Sequence, residues 1–158
     1  MGSASLYDFV LRYYTGNRIQ KICKKRSIEF KSIRYKENNV EKTTKFTQLI
    51  VWQKAHRLVL NIYKVTKSFP KEELYGLVSQ LRRAASSVPA NIAEGYKKRS
   101  AADKIRFLNI SETSLEETKY FLILSNDLEY ANTTSMLEEA EEVGRLLNAY
   151  INGVLKNK

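Results

Sequence analysis

One cysteine, one histidine and two prolines stand among 158 residues. With Cys23 alone, no disulfide can close within the chain, and a reducing cytoplasm is the expected setting. Metal sites in helix bundles draw on several inward-facing Glu and His ligands, including Glu-x-x-His pairs. The sole histidine, His56, has Gln53 at that spacing, so neither a metal nor any other cofactor is expected. His56 reads instead as a half-buried structural residue at the edge of an apolar stripe. The same scarcity leaves Cys23 and the serines without a histidine partner that the sequence pattern identifies, so no catalytic residue and no enzymatic activity are expected. No uncharged run reaches the roughly 18 apolar residues of a membrane span. Asp8, Arg12 and Arg18 interrupt the N-terminal apolar positions, so a secretory signal is not expected either.

What the sequence does have is positive charge, with a formal net of +10, and it is unevenly spread. Residues 1–45 carry eleven Lys/Arg against four Asp/Glu, whereas residues 46–158 carry sixteen against thirteen. Residues 1–45 are expected to form a basic N-terminal extension, weakly ordered or with one short helix over Leu6 to Tyr14 before Gly16 and Asn17. Its Tyr13, Tyr14, Phe30 and Tyr35 are interleaved with arginines and lysines. That pattern suits phosphate tracking with base stacking, and it equally suits a solvated tail.

From Thr47 the apolar residues take up helical spacing. Val51, Ala55, Leu58, Ile62, Val65 and Phe69 fall on one face, and Pro70 predicts the end of this first helix at Phe69. A second helix is expected from Lys71, with Glu72 and Glu73 at its positive end and a core of Leu74, Leu77, Leu81, Ala84, Val88 and Ile92. Pro89 predicts a kink or a restart there. Ser100 and Asp103 form an N-cap signal for a third helix, Ala101 to Asp127, with Ile105, Leu108, Leu115 and Leu122 apolar and Ser111, Ser114 and Glu117 interrupting. Ser135 and Glu138 repeat that signal for a fourth, with core positions Leu137, Ala140, Val143, Leu147, Tyr150 and Val154. Helices of roughly 22 residues span roughly 33 Å. Short connections make neighbours antiparallel. The expectation is an all-α, up-down-up-down four-helix bundle over residues 46–158.

Leu49 with Trp52, the run Phe69, Pro70 and Glu73, and the segment from Gln80, Leu81, Arg82 and Arg83 through Ser87, Pro89, Asn91, Glu94 and Gly95 resemble the 23S rRNA intervening-sequence protein family. Ser114, Leu115 and Glu117 fit its later pattern, with Thr113 where a smaller residue is usual. The resemblance covers residues 46 to about 155 and implies a cytoplasmic homopentamer, encoded in some bacteria within insertions in the large ribosomal RNA gene, with no known reaction. Similar bundles serve as the accessory variability determinant of diversity-generating retroelements, which binds a reverse transcriptase and its template RNA. The resemblance therefore implies RNA or ribonucleoprotein binding. A protein scaffold, such as a reverse transcriptase accessory subunit, is the alternative.

Two sets of residues carry these expectations. Arg82 and Arg83 either pair with Glu116 or Glu117 of the third helix or form a ring of charge that holds phosphates. Pro89, Asn91, Glu94, Gly95 and Glu117 are expected to serve assembly, with Asn91 and Glu94 meeting backbone groups left unpaired around the proline. Lys97, Lys98, Arg99, Lys104 and Arg106 cluster at one end of the bundle, as a nucleic-acid contact or as a solvated turn. The expected partners are other copies of the chain, RNA, and in the alternative a reverse transcriptase; no membrane partner is expected.

Overall fold

The computed structural model describes residues 43–156, and the extension expected over residues 1–45 lies almost wholly outside them. Four helices form the bundle: α1 (Ile50–Val65), α2 (Leu77–Lys97), α3 (Ala101–Asp127) and α4 (Thr134–Lys156). Short 3-10 turns, Phe46–Gln48 and Lys71–Leu74, precede α1 and α2. Each helix packs on two neighbours in the cyclic order α1, α2, α3, α4. The contacts run in opposite directions along neighbouring helices. Ser87 meets Ser114 while Gly95 meets Lys104, and Lys54 meets Glu142 while Asn61 meets Glu139. No described helix is long and apolar enough to cross a membrane.

The core follows the helical period. Val51, Ala55, Leu58 and Ile62 of α1 meet Leu81, Ala85, Val88 and Ile92 of α2, Leu108, Leu115 and Leu122 of α3, and Ala140, Val143 and Leu147 of α4. On α3 the buried stripe interleaves leucines with hydroxyl residues: Leu108, Ser111, Ser114, Leu115, Thr118, Leu122 and Ser125. The serines do not interrupt this stripe; they belong to it. Ser111 Oγ donates to Val88 O of α2 at 3.0 Å, and Thr118 and Ser125 donate to carbonyls one turn back, so none is left unpartnered. Small hydroxyl side chains let α2 and α3 approach closely.

The helix ends differ from the sequence expectation. Helix α1 stops at Val65, four residues before Phe69, because two hydroxyls compete for its last carbonyls. Thr66 Oγ1 donates to Ile62 O at 2.8 Å and Ser68 Oγ to Val65 O at 2.8 Å. Phe69 leaves the helix and packs its buried ring against the edge of Tyr130. Helix α2 begins at Leu77, since Lys71–Leu74 forms a 3-10 turn from which Glu73 Oε2 accepts the Leu77 N–H at 2.9 Å. A Cβ at Gly76 would meet that carboxylate oxygen at 2.7 Å, so glycine makes room for the cap. Leu74, expected in the core, is consequently 50% exposed, and Val78 takes a core position instead.

Helix α2 passes unbroken through Pro89, which is buried, so of the kink or restart expected there the restart does not occur. Side chains donate to three other carbonyls of this helix, Ser86 to Arg82 O, Asn91 to Ser87 O and Ser111 to Val88 O, none of them Ala85 O, the one that Pro89 deprives of an N–H. Ser100 caps α3 as its spacing predicts, accepting Asp103 N–H at 3.1 Å. Helix α4 starts one residue before the Ser135 box. Asn132 Oδ1 accepts the Thr134 N–H, and buried Thr133 donates to Leu122 O.

Candidate nucleic-acid interface

The turn joining α2 to α3 is only three residues, Lys98 to Ser100, and Gly95 decides its geometry. A Cβ at Gly95 would stand 3.3 Å from Lys104 O and 3.3 Å from Phe107 Cβ, so the end of α2 lies directly on the start of α3. That closeness brings together Lys97, Lys98, Arg99, Lys104 and Arg106, as the sequence predicts. Lys97, Arg99 and Arg106 are exposed, Lys104 is half-buried, and the Lys98 ammonium lies 4.5 Å from the centroid of the Phe107 ring. Among the described residues, none of the five is in an ion pair; the ion pairs are Lys54–Glu142, Lys119–Glu116 and Lys119–Glu141. Asp103 shares this end but is engaged by the Ser100 hydroxyl at 2.7 Å.

The start of the described chain is tied to the same end. Tyr96 OH, in the last turn of α2, donates to Thr43 O at 2.5 Å. Burial pushes the nearby Tyr150 phenol above its ordinary value, with Tyr96 adding to the shift. The opposite end is mixed in sign, with Lys64, Lys67 and Lys71 beside Glu72, Glu73, Asp127, Glu129 and Glu138. Unbalanced positive charge therefore collects at one end of the bundle.

Arg82 and Arg83 point to different places. The half-buried Arg82 turns to α1, where its Nε donates to Thr66 Oγ1 at 2.8 Å and its guanidinium lies 4.8 Å over the Tyr63 ring. The expected pairing of Arg82 with a helix α3 glutamate is not formed, because α1 offers both an acceptor and an aromatic face within reach. Glu116 is taken by Lys119 at 2.8 Å. Burial lowers the Lys119 pKa, but its hydrogen bonds to Glu116 and Glu141, with their charges, outweigh that and raise it above the usual lysine value.

Arg83 stays exposed and lines an open groove of about 460 Å³ between α2 and α3, together with Ala84, Ser87, Ala90, Ser114 and Glu117. Arg83 and Glu117 share this groove without forming an ion pair. Its polar wall is a chain of hydrogen bonds: Asn91 Nδ2 donates to Ser87 Oγ at 3.0 Å, and the Ser87 and Ser114 hydroxyls share a bond of 2.9 Å. Asn91 thus serves a carbonyl and a hydroxyl beside Pro89, while Glu94 is exposed and makes no such contact.

One group escaped the sequence reading. Trp52 and His56 stack with centroids 4.9 Å apart and planes 8° from parallel, and Phe46 meets Trp52 edge-on at 5.1 Å. His56 is exposed rather than half-buried. The four-residue spacing of two aromatic rings on one helix was the available signal.

The family profile described as 23S rRNA-intervening sequence protein matches residues 47–149. The chain belongs to that family. Among solved structures, this intervening-sequence protein is similar to a protein of unknown function from the S23 ribosomal protein family of Bacteroides thetaiotaomicron. The two are 29% identical with a TM-score of 0.61, over 65% of this chain and 96% of that one. No curated protein matches. The family match spans α1 to α3 and most of α4, including the groove and the basic turn.

Proposed function

We propose that this intervening-sequence protein is a cytoplasmic, non-catalytic homo-oligomer that binds RNA or a ribonucleoprotein through its basic end. The observation that supports this most strongly is the set Lys97, Lys98, Arg99, Lys104 and Arg106, gathered on a three-residue turn with no carboxylate paired to them among the described residues. Each phosphate neutralised by such cations releases counterions, which makes affinity fall steeply with salt. Repetition of the patch in an oligomer multiplies a modest contact. Self-association is supported by Ile110, Tyr120 and Ile123, apolar side chains 40%, 59% and 48% exposed on α3. A pentamer is the number implied by the family resemblance.

Titration of labelled single-stranded RNA at about 50 mM and about 200 mM salt tests the reading. Binding that weakens steeply with salt, and is lost when Lys97, Lys98 and Arg99 are replaced by Glu, supports it; affinity indifferent to both salt and charge reversal overturns it. A second reading, a scaffold for a protein such as a reverse transcriptase, is favoured by Leu74 and Tyr75, which stand 50% and 90% exposed on the turn before α2. Native mass before and after nuclease treatment separates the two, because only the first reading requires nucleic acid in the complex.

A further inference from the structure

We infer that the Trp52–His56 stack is a platform for an unpaired nucleobase, so that the nucleic acid taken by the basic end is single-stranded. This rests on the nucleic-acid reading above and extends it to the aromatic residues of α1 at the same end of the bundle. Trp52 is half-buried against the core, and His56 lies on its face with its own ring exposed. The order from inside to outside is core, indole, imidazole, solvent. An aromatic ring is therefore open to water, held near-parallel to a half-buried indole.

The surroundings hold the indole that backs this ring. Phe46 abuts the indole edge-on at 5.1 Å. The turn carrying Phe46 is held by Gln48 Oε1, which accepts the Thr44 and Lys45 N–H groups at 2.8 and 3.0 Å, while Gln53 Nε2 donates to Thr47 O at 2.9 Å. An imidazole already stacked on a packed indole has less rotamer freedom to lose when a base stacks on it, so more of the stacking energy appears as affinity. The stack lies in the first two turns of α1, the end at which α2 finishes with exposed Lys97 and Tyr96 reaches Thr43. Exposed Lys45 precedes the aromatic turn there, and neither Lys45 nor Lys97 is in an ion pair among the described residues.

Stacked rings beside unpaired cations match the chemistry of a single strand, whose bases are free to leave one another while the phosphates follow the charge. A duplex keeps its bases paired and stacked internally and has none to offer. Every base has a π face, so the platform selects strandedness and tolerates sequence.

The test uses the full chain, an oligouridine and an oligoadenosine dodecamer, and a duplex of the same length. His56→Ala should weaken both single strands by about tenfold while leaving duplex affinity unchanged, and His56→Phe should restore single-strand binding. His56 is the sole histidine, so histidine-labelled protein gives one set of imidazole resonances, which a stacked base should move upfield. If His56→Ala binds both dodecamers like the parent while the Glu-substituted basic turn does not, the platform is overturned and the nucleic-acid reading stands. A duplex bound as tightly as the single strands overturns it as well. If the parent protein binds none of the three probes, both readings fall.

Discussion

Arg82 Nε and Thr66 Oγ1 are joined by a 2.8 Å hydrogen bond that ties the first turns of α2 to the end of α1. Thr66 is buried and its hydroxyl also donates to Ile62 O, so the threonine is fully used. Arg82 adds a cation–π contact with Tyr63. Its neighbour Arg83 has no comparable partner.

The two arginines should therefore separate experimentally. Arg82→Ala is expected to destabilise the protein by about 1–3 kcal/mol, from the lost hydrogen bond and ring contact. Arg82→Lys recovers little, since lysine has no Nε to place at Thr66. Arg83→Ala should stay within about 0.5 kcal/mol of the parent in urea unfolding. Equal losses for Arg82→Ala and Arg83→Ala would contradict the assignment.

Glycines in two helices should respond in opposite directions to alanine. At Gly95 the gain in helix propensity, about 1 kcal/mol, is outweighed because the new methyl would meet a backbone oxygen and a Cβ of α3 at 3.3 Å. Net destabilisation is expected, growing with Gly95→Val. At Gly153 an added Cβ meets nothing within 4 Å among the described residues outside its own stretch of helix, so alanine should stabilise by up to about 1 kcal/mol. Thermal melts of the pair decide it, and a higher Tm for Gly95→Ala would show that α2 and α3 yield more easily than their contact implies.

Alkaline pH should loosen two tertiary ties. The Tyr130 phenol is pushed above its usual value by burial and by the Glu73 carboxylate, to which its OH donates at 3.2 Å. The Lys119 ammonium is raised by its two glutamates against the opposing effect of burial. In both cases the folded state holds the proton more tightly than the unfolded chain. The stabilisation is complete below the unfolded values, near pH 10, and is lost as pH rises through the higher folded values. Tm should fall as pH rises above about 10, and Tyr130→Phe and Lys119→Met should each make that fall shallower. Unchanged slopes in both variants would remove these groups as the cause.

The number of helices and most of their core positions were legible because leucines, valines and alanines at helical spacing can bury only one face. Helix ends were less so, since Thr66, Ser68 and Glu73 act through hydrogen bonds to backbone groups, which hydropathy does not record. Leu74 misled for this reason: once Glu73 caps the helix from outside, the register begins at Leu77. On α3, Ser111 and Ser114 looked like breaks in an apolar stripe, although both are buried, Ser111 bonded to Val88 O and Ser114 to the Ser87 hydroxyl. The basic turn was legible as charge. The division of labour between Arg82 and Arg83 depended on where α1 stops, and the edge-on contact of Phe46 with Trp52 depended on how the preceding turn folds back.

The intimacy of α2 and α3 also bears on the order in which the bundle forms. Their contacts are near in sequence, closed by a three-residue turn, and centred on Gly95, Val88 with Ser111, and Ser87 with Ser114. Closing so short a loop sacrifices little chain entropy, so this hairpin is the natural nucleus on which α1 and α4 then dock. In native-state hydrogen exchange, the amides around Val88 and Leu115 should be the last to open, and those of the Phe46–Gln48 turn among the first.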